Sequence, residues 1–377
     1  MKHAILCLQI SLFLSSFSYS MQAQYSSIFS FGDSYTDTGN KVILFGPTTP
    51  GLLINKPPYG MTFFGHPTGR LSDGRLVIDF IAQALGLPLL PPSLSKNQSF
   101  KQGANFAVAG ATALKTSTSP AAFYPQAAGG GAKPPPNNVS LSDELGWFDA
   151  MKPSLCGSPQ ACKEFFGKAL FVVGELGWND YGVMLVGGKS VAEAQAYVPR
   201  IVATIVAATE KLINDGATAI VVSGISPMGC APGNLVMLAS QNGADYEPDT
   251  GCLKGLNDLS KAHNAQLSQA LTALGGRYPG TRITYADLYA PVIAFAAAPA
   301  RFGFDGADGA LRDCCGGGGG KYNFNLSAAC GMPGVAACAN PSVYVNWDGV
   351  HLTEAAYHLV ADGWLRGPYA RPPILGA

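Results

Sequence analysis

Two short segments near opposite ends of the chain carry residues that could act together in nucleophilic catalysis. The segment FSFGDSYTDTGN, residues 29–40, ends an apolar run in a Gly/Asp turn that presents Ser34. The segment NWDGVHLTEAA places Asp348 three residues before His351, in a loop that precedes a helical pattern. At this spacing one turn brings the carboxylate to the imidazole Nδ1 and leaves Nε2 free to take a proton from a hydroxyl. Such a base makes a serine a candidate nucleophile, although a serine in this kind of turn is usually only a turn residue.

The other histidines downstream of residue 23 have simpler explanations. His66 lies in the Pro/Gly loop FFGHPTGR, which is typical of a solvent-facing residue. His263 falls on the leucine stripe of a helical pattern at 256–274, where a core or boundary position is expected. His358 lies within the final helical pattern and is interpreted as structural. We therefore expect His351 to be the base.

Acyl transfer also needs hydrogen-bond donors for the oxyanion of the tetrahedral intermediate. The Ser34 turn offers a backbone amide, the loop in AVAGATAL offers Gly110, and GELGWNDY offers the side chain of Asn179. Ordinary turns also use Gly, Asn and Asp. These three residues follow three successive predicted strands, however, so we expect them at the same edge of one sheet.

The strand pattern indicates an α/β fold. Short apolar runs rich in β-branched residues alternate with helical patterns and predict strands at 27–31, 104–109, 169–174, 219–224 and 282–288. Runs that are apolar throughout favour strands covered on both faces, so we predict a three-layer α/β/α sandwich, flavodoxin-like, with a mostly parallel sheet of about five strands. Ligands of such sheets bind outside the carboxyl ends of the strands. Ser34 lies at such an end.

Three helices have recognisable signals. GRLVIDFIAQAL follows Asp73, which we interpret as its N-cap. Ser190 and Glu193 form a capping box before a long helix that Pro199 should break or kink. A third helix is predicted over 256–274, ending before a pair of glycines.

The N-terminus has the features of a secretory signal. Residues 1–23 contain one lysine, a patchy apolar stretch and small residues near the end. A membrane anchor is the alternative, but the apolar stretch is short and is interrupted by Gln9 and several serines. We expect a removed leader at 1–23 and a single domain at 24–377, soluble and extracellular, with no transmembrane anchor. The pattern leaves the oligomeric state open.

The cysteines suit this export route. After Cys7 the chain has an even number of them, which favours disulfides in an exported protein. Short loops favour Cys156 with Cys162 and Cys230 with Cys252, and leave Cys314 and Cys315 each to pair with Cys330 or Cys338. A zinc site is the rival interpretation, but no C-x-x-C spacing occurs, and we expect no metal. The acceptor sequons for N-glycosylation are at Asn97, Asn138 and Asn325.

Charge and low-complexity segments exclude some functions. The chain has 24 Lys+Arg and 24 Asp+Glu without a basic cluster, so nucleic acid and anionic membranes are not indicated as partners. CCGGGGGKYNF is not a phosphate loop, because Cys315 stands where a glycine is required and Tyr322 replaces the Ser/Thr. The Gly/Pro/Ser-rich stretch at 115–138 is interpreted as a surface excursion and a candidate lid.

The same segments, in the same order, resemble the plant-type GDSL esterase/lipase family of the SGNH hydrolase superfamily. FGDSYTDTGN is similar to the first block of that family, GANFAVAGATAL to the second, GELGWNDY to the third and DGVH to the block that carries Asp and His. The similarity extends to PTGRLSDGRLVIDFIA, SPMGCAP, HNAQL and CCGGGGGKYN, and so covers nearly the whole chain after the leader. Any one block is weak, but four in register are specific.

The resemblance implies a serine esterase without a cofactor. Ser34 would be the nucleophile, His351 the base and Asp348 the acid that orients it, while the amides of Ser34 and Gly110 and the side chain of Asn179 would form the oxyanion hole. The substrate would be an ester of a carbohydrate, a small metabolite or a lipid. An O-acetylesterase of the apoplast or cell wall is one hypothesis. The alternatives are a transacylase that uses the same triad and a secreted binding protein that has lost the chemistry.

Two residues depart from the family pattern. Tyr35 stands where the family commonly has leucine, and Trp178 fills a position that often holds a small residue. Neither change removes a catalytic group. We interpret both rings as candidates for narrowing an acyl pocket in favour of short chains, with packing against the sheet as the alternative.

Overall fold

A six-stranded sheet lies at the centre of the computed structural model, which describes residues 24–46, 49, 51–115 and 139–376. The strands are β1 Ser27–Phe31, β2 Gly103–Asn105, β3 Ala169–Val173, β4 Ala219–Ser223, β5 Arg282–Ala286 and β6 Ala370–Arg371. Their order is β2-β1-β3-β4-β5-β6, with β6 antiparallel to β5 and the other pairs parallel. The predicted α/β class and the mostly parallel sheet are confirmed.

Helices cover both faces of this sheet. They are α1 Asn40–Phe45, α2 Val77–Ala84, α3 Leu141–Leu155, α4 Pro159–Phe166, α5 Trp178–Val186, α6 Val191–Gln195, α7 Val198–Asn214, α8 Pro232–Met237, α9 Lys254–Arg277, α10 Tyr289–Ala297, α11 Gly306–Leu311 and α12 Glu354–Arg366. Alternate strand residues point to opposite faces, so Phe29 and Phe171 pack with α3, α4 and α7, whereas Ile28 and Leu170 pack with α2 and α12. Helices therefore cover the apolar strands on both faces of the sheet, which produces the three layers.

Two strands differ from the sequence prediction. β2 ends at Asn105 and does not continue to residue 109, because the Asn105 side chain accepts the N–H of Ala107 at 2.9 Å and turns the chain out of the strand. The sixth strand, Ala370–Arg371, has only two residues and so shows no periodic pattern.

The helix boundaries differ in instructive ways. Asp73 is not the N-cap of α2, which begins at Val77 after Leu76, and its carboxylate instead accepts the N–H of Glu354 at the start of α12. The predicted capping box of Ser190 and Glu193 is present. The expected break also occurs, because Pro199 lies in the first turn of α7 after α6 has ended. α9 runs through both glycines to Arg277, so its predicted end was three residues too early.

Four disulfides close loops of the fold. Cys156–Cys162 and Cys230–Cys252 form the two short-loop pairs that were expected. Of the two alternatives left open by the sequence, the structure forms Cys314–Cys338 and Cys315–Cys330. This second pair of bridges pins the segment 314–338, and the Cys315 N–H donates to Trp347 O next to the loop that carries Asp348.

A buried ion pair connects α2 to the segment that follows Ser34. Asp79 lies in the first turn of α2 and receives two hydrogen bonds of 2.8 Å from the guanidinium of Arg70. Arg70 also donates to Thr38 O at 3.4 Å. Because both charges are buried, each depends on the other for solvation.

We expect Asp79→Ala to lower the free energy of unfolding by about 3 to 5 kcal/mol, because it leaves the buried Arg70 guanidinium without its carboxylate. The matched control is Asp362→Ala, which removes the partner of Arg366 from an exposed pair and should cost only about 0 to 1 kcal/mol. Urea denaturation monitored by fluorescence measures both. Equal small losses in the two variants would contradict the role of the buried pair.

Candidate active site

The turn that holds Ser34 lies directly after β1. Gly32 has φ 142°, and a Cβ on it would lie 3.2 Å from Gly174 Cα, so the close approach of β1 and β3 requires glycine. Asp33 then forms the turn, because its Oδ1 accepts the N–H of Tyr35 at 3.0 Å and its carbonyl accepts the N–H groups of two later residues. Ser34 is only 5% exposed at the carboxyl edge of the sheet.

Asp348 and His351 form the dyad that their spacing predicts. His351 Nδ1 lies 2.8 Å from Asp348 Oδ1 and 3.0 Å from Oδ2, and the same carboxylate accepts the His351 N–H at 3.0 Å. Tyr59, which the sequence analysis did not single out, donates its hydroxyl to Asp348 Oδ2 at 2.7 Å. Burial by itself raises the pKa of Asp348, but the charge of His351 and the hydrogen bonds from His351 and Tyr59 outweigh it and hold this pKa below its usual value. The carboxylate therefore stays ionised beside the ring.

The second ring nitrogen of His351 is unpaired among the described residues. His351 Nε2 is buried and has no hydrogen-bond partner in the part of the chain that the structure describes. The Tyr35 ring packs 5.6 Å from the His351 ring, and its hydroxyl donates to Val350 O at 2.7 Å. Tyr35 thus supports the His351 loop from behind, while Nε2 remains available to accept a proton.

Two backbone donors at this edge are also free. The N–H groups of Ser34 and Gly110 make no hydrogen bond to any residue that the structure describes. Gly110 has φ 84° in the loop that follows β2, a conformation that favours glycine. Unpaired N–H groups are rare in a protein interior. Their presence here suits an anionic ligand atom.

Asn179 lies at the same edge, in the first turn of α5, but its donors are already engaged. Its Nδ2 donates to Asp33 Oδ2 at 2.8 Å and to Ala111 O at 3.0 Å. A carboxamide nitrogen carries only two hydrogens. This side chain would therefore have to release Ala111 O before it could donate to an oxyanion, which the sequence pattern did not reveal.

The two rings expected to narrow a pocket are buried. Trp178 is only 2% exposed and belongs to the core that packs against one face of the sheet. Tyr35 also contacts Tyr357, with the rings 5.9 Å apart and edge to face. Neither residue lines the cleft beside the dyad, although Tyr35 lines a separate small cavity together with Ser226 and Val350. A role of the two rings in narrowing an acyl pocket stays a prediction.

That cleft is formed by other residues. It has a volume of about 30 Å³ and reaches Asp348 and His351, and its side walls are apolar. The apolar side chains are Leu53, Ile54, Val350, Phe324 and Leu326. Two wider cavities, of about 460 and 590 Å³, contain none of the candidate catalytic residues. The cleft beside the dyad is thus narrow and nonpolar.

Phe324 packs between the disulfide-pinned segment 314–338 and the loop that carries Asp348 and His351. A Cβ on Gly349 would lie 2.3 Å from the Phe324 ring, so only glycine allows the ring to pack there. Gly349 also has φ 100°, and its N–H donates to Asp313 Oδ1 at 2.7 Å. The position of the dyad therefore depends on the segment 314–338.

The other three histidines lie in different surroundings from His351. His66 is exposed, and His358 is exposed with its ring stacked 4.7 Å from that of Phe80. His263 is buried, with Nδ1 2.9 Å from the Tyr181 hydroxyl, and burial lowers its pKa to about 3. Its imidazole is therefore neutral in the fold, as a core residue should be.

Two of the sequon asparagines are on the surface. Asn97 and Asn325 are exposed, and Asn325 lies between two residues of the cleft wall. Asn138 and all but the first residue of the candidate lid at 115–138 lie outside the described residues. Glycan occupancy stays a prediction.

Several carboxyl groups are buried behind the Ser34 turn. Burial raises the pKa of Asp180 to about 7, although its carboxylate accepts the N–H groups of Ala113 and Leu114. Burial also raises the pKa of Glu144, which accepts the Gly32 N–H at 2.9 Å. Burial therefore disfavours the charged forms of these carboxyl groups, whereas the backbone N–H groups that they accept favour them.

Comparison with known proteins identifies the family. The model of the GDSL-like lipase/acylhydrolase family matches residues 28–364. This chain belongs to that family. Three GDSL esterase/lipases of Arabidopsis thaliana are 47%, 45% and 44% identical to it, over 93%, 93% and 99% of this chain and 84%, 86% and 92% of their own lengths. The GDSL-family chain is therefore a carboxylic ester hydrolase.

In the ranges that the structure describes, no helix is long and apolar enough to cross a membrane. Within those same ranges, no three His, Cys, Asp or Glu side chains are grouped so that they could hold a metal ion.

The buried acids predict that the GDSL-family protein is more stable at pH 5 than at pH 8. An unfolded Asp180 loses its proton near pH 3.8, whereas the folded protein keeps it to about pH 7. The folded state thus binds more protons than the unfolded state over this interval. The contribution of this carboxyl group to the free energy of unfolding, roughly 4 kcal/mol, is therefore lost as the pH rises from about 4 to about 7. Differential scanning calorimetry at both pH values measures the difference in Tm. A higher Tm at pH 8 would contradict this.

Proposed function

We propose that this GDSL-family protein hydrolyses esters through an acyl-enzyme on Ser34. The observation that supports this best is the Asp348–His351 dyad, whose buried Nε2 has no partner among the described residues and lies at the sheet edge that also holds Ser34. Ser34 Oγ attacks the carbonyl carbon while His351 Nε2 accepts its proton. The imidazolium, stabilised by Asp348, then protonates the leaving alkoxide, and water repeats the sequence on the acyl-enzyme.

The oxyanion hole is proposed to consist of three donors. The free N–H groups of Ser34 and Gly110 supply two of them without any rearrangement. Asn179 supplies the third when its Nδ2 hydrogen turns from Ala111 O to the substrate oxygen, while its other hydrogen stays on Asp33. Each such donor contributes about 10²- to 10³-fold to kcat in acyl transfer.

The substrate is proposed to carry a short acyl group. The cleft beside the dyad has a volume of about 30 Å³. On the same scale of volume, one water molecule needs roughly 10 to 15 Å³. Ser34 does not line this cleft, but the cleft reaches His351, and an acyl group that entered it would have to be short. Acetylated carbohydrates and small metabolites meet this limit.

The setting of the enzyme is proposed to be extracellular. Residues 1–23 have the composition of a removable leader, and residues 24–377 would then form one secreted hydrolase domain. Four disulfides are compatible with an oxidising compartment. The exposed sequons Asn97 and Asn325 suit the same route.

The first test is hydrolysis of p-nitrophenyl acetate by the secreted protein and its Ser34→Ala variant. We expect this variant to lose at least about 10³-fold in kcat, because it removes the nucleophile. The matched control is Ser223→Ala, another buried serine at the carboxyl end of a strand, whose hydroxyl donates to Gly224 O. Equal activity of the Ser34→Ala variant and the wild type would refute the proposed nucleophile.

Acyl-chain preference provides a separate prediction. Leu326→Ala shortens a side chain in the wall of the cleft and preserves the sequon. The ratio of kcat/KM for the octanoyl ester over the acetyl p-nitrophenyl ester should therefore rise about tenfold. Burial of roughly two more methylene groups of the longer acyl chain would give a change of this size. Leu375→Ala is the control, since Leu375 has the same exposed fraction of 37% and does not line the cleft. A wild-type preference for the octanoyl ester, or an unchanged ratio in Leu326→Ala, would count against this assignment.

A further inference from the structure

The Asp348 carboxylate is held from two directions. Its Oδ1 accepts the backbone N–H groups of Val350 and His351 at 3.3 and 3.0 Å. These donors belong to the same turn, so they orient the carboxylate relative to the imidazole but not relative to the rest of the protein. Its Oδ2 accepts the hydroxyl of Tyr59 at 2.7 Å, from a residue 289 positions away in the sequence. Tyr59 thus connects the acid of the dyad to a separate part of the fold.

The Tyr59 side chain is itself fixed by packing. It is buried in an apolar cluster that includes Trp347 and the bridged residues Cys315 and Cys330. Its ring lies 6.0 Å from the Trp347 ring, edge to face, and its N–H donates to Lys56 O at 3.2 Å. A packed ring leaves its hydroxyl few alternative positions. The hydroxyl is therefore held against the carboxylate.

We propose that Tyr59 is a positioning residue for the ester hydrolysis reaction: its hydroxyl holds Asp348 Oδ2 and so keeps the carboxylate facing His351 Nδ1. The inference rests on the proposed function of this dyad with Ser34. The Tyr59 hydroxyl does not act on the reacting atoms. Its effect passes through the carboxylate to the base.

The surroundings of the carboxylate increase the importance of this donor. The Asp348 side chain is only 6% exposed, so water has little access to replace a lost hydrogen bond. Asp313 and Tyr35 also interact electrostatically with this carboxylate, but neither gives it a hydrogen bond in the part of the chain that the structure describes. Burial raises the pKa of Asp348, while the charge and hydrogen bonds of His351 and the hydrogen bond from Tyr59 lower it below its usual value.

The experiment measures kcat and KM for p-nitrophenyl acetate in Tyr59→Phe, which removes the hydroxyl and keeps the ring that packs on Trp347 and lines the cleft. Loss of a hydrogen bond to a charged group should lower kcat about 10-fold. KM should stay within about twofold, because the lost bond acts on the base and not on the bound ester.

Tyr278→Phe is the matched control. The Tyr278 hydroxyl also donates to a carboxylate, that of Glu210, at 2.8 Å, and neither residue lines the cleft. This variant should change kcat by less than about twofold, since its hydrogen bond has no connection to the dyad.

A double-mutant cycle with Asp348→Ala separates action through the carboxylate from direct contact with the substrate. Asp348→Ala alone should lower kcat by about 10⁴-fold and still leave roughly 10²-fold more activity than Ser34→Ala, which supplies the background rate. Adding Tyr59→Phe to Asp348→Ala should change kcat by less than about threefold, because the hydroxyl has already lost its acceptor. The Tm of each variant separates loss of fold from loss of positioning, and Tyr59→Met replaces the phenylalanine variant if that variant does not fold.

Three results would overturn the inference. The first is a kcat of Tyr59→Phe within about twofold of the wild type, and the second is a loss that appears in KM alone. The third is a full additional loss from Tyr59→Phe when Asp348 is already alanine, which would place the hydroxyl on the substrate. Any of these with an inactive Ser34→Ala enzyme would refute only the role of Tyr59. Activity retained in Ser34→Ala would instead refute the proposed function.

Discussion

Buried carboxylates that accept backbone N–H groups hold together the loops at the carboxyl edge of the sheet. Asp37 is the clearest case, because its two oxygens accept four backbone N–H groups from the segments after β1 and β2. These donors are Gly39, Asn40, Lys41 and Ala109. Asp180 and Glu144 make further links of this kind. Strand order brings the loop ends close, and the carboxylates fix how they meet.

The dyad is held from the opposite side by separate means. Asp73 accepts the N–H of Glu354 at 2.7 Å and so anchors the start of α12, directly after His351. Asp313 accepts the N–H of Gly349, and Tyr59 donates to Asp348. Residues 34 and 351 are far apart in the chain, so neither set of contacts alone defines the geometry. The disulfide-pinned segment 314–338 packs over the loop that carries Asp348 and His351.

Sequence patterns predicted the parts of this molecule that follow from local chemistry. Strands apolar throughout can only be buried on both faces, and the capping box of Ser190 and Glu193 satisfies its own backbone donors. The end of β2 was not predicted correctly because it depends on one side chain, Asn105. α9 passes through its glycines because packing of its apolar residues outweighs their low helix propensity.

The candidate site was predictable to a similar degree. The dyad could be inferred because its spacing closes within one turn. The state of Asn179 could not, because it depends on Asp33, far away in sequence. Because Cys314 and Cys315 are adjacent, the two possible pairings with Cys330 and Cys338 close loops of nearly the same lengths, so only the folded loop distinguishes them.

The abundance of buried acids near the proposed oxyanion hole poses an electrostatic problem. A unit negative charge about 8 Å from a developing oxyanion would oppose it by about 2 kcal/mol at an effective dielectric constant near 20. Several ionised carboxylates at such distances would cancel the benefit of one or two donors. Burial raises the pKa of Glu175 and of Glu144 and so disfavours their charged forms, and the carboxylate of Asp37 is offset by four N–H dipoles. Burial thus allows one set of acids to organise the loops while leaving the hole fit for an anion.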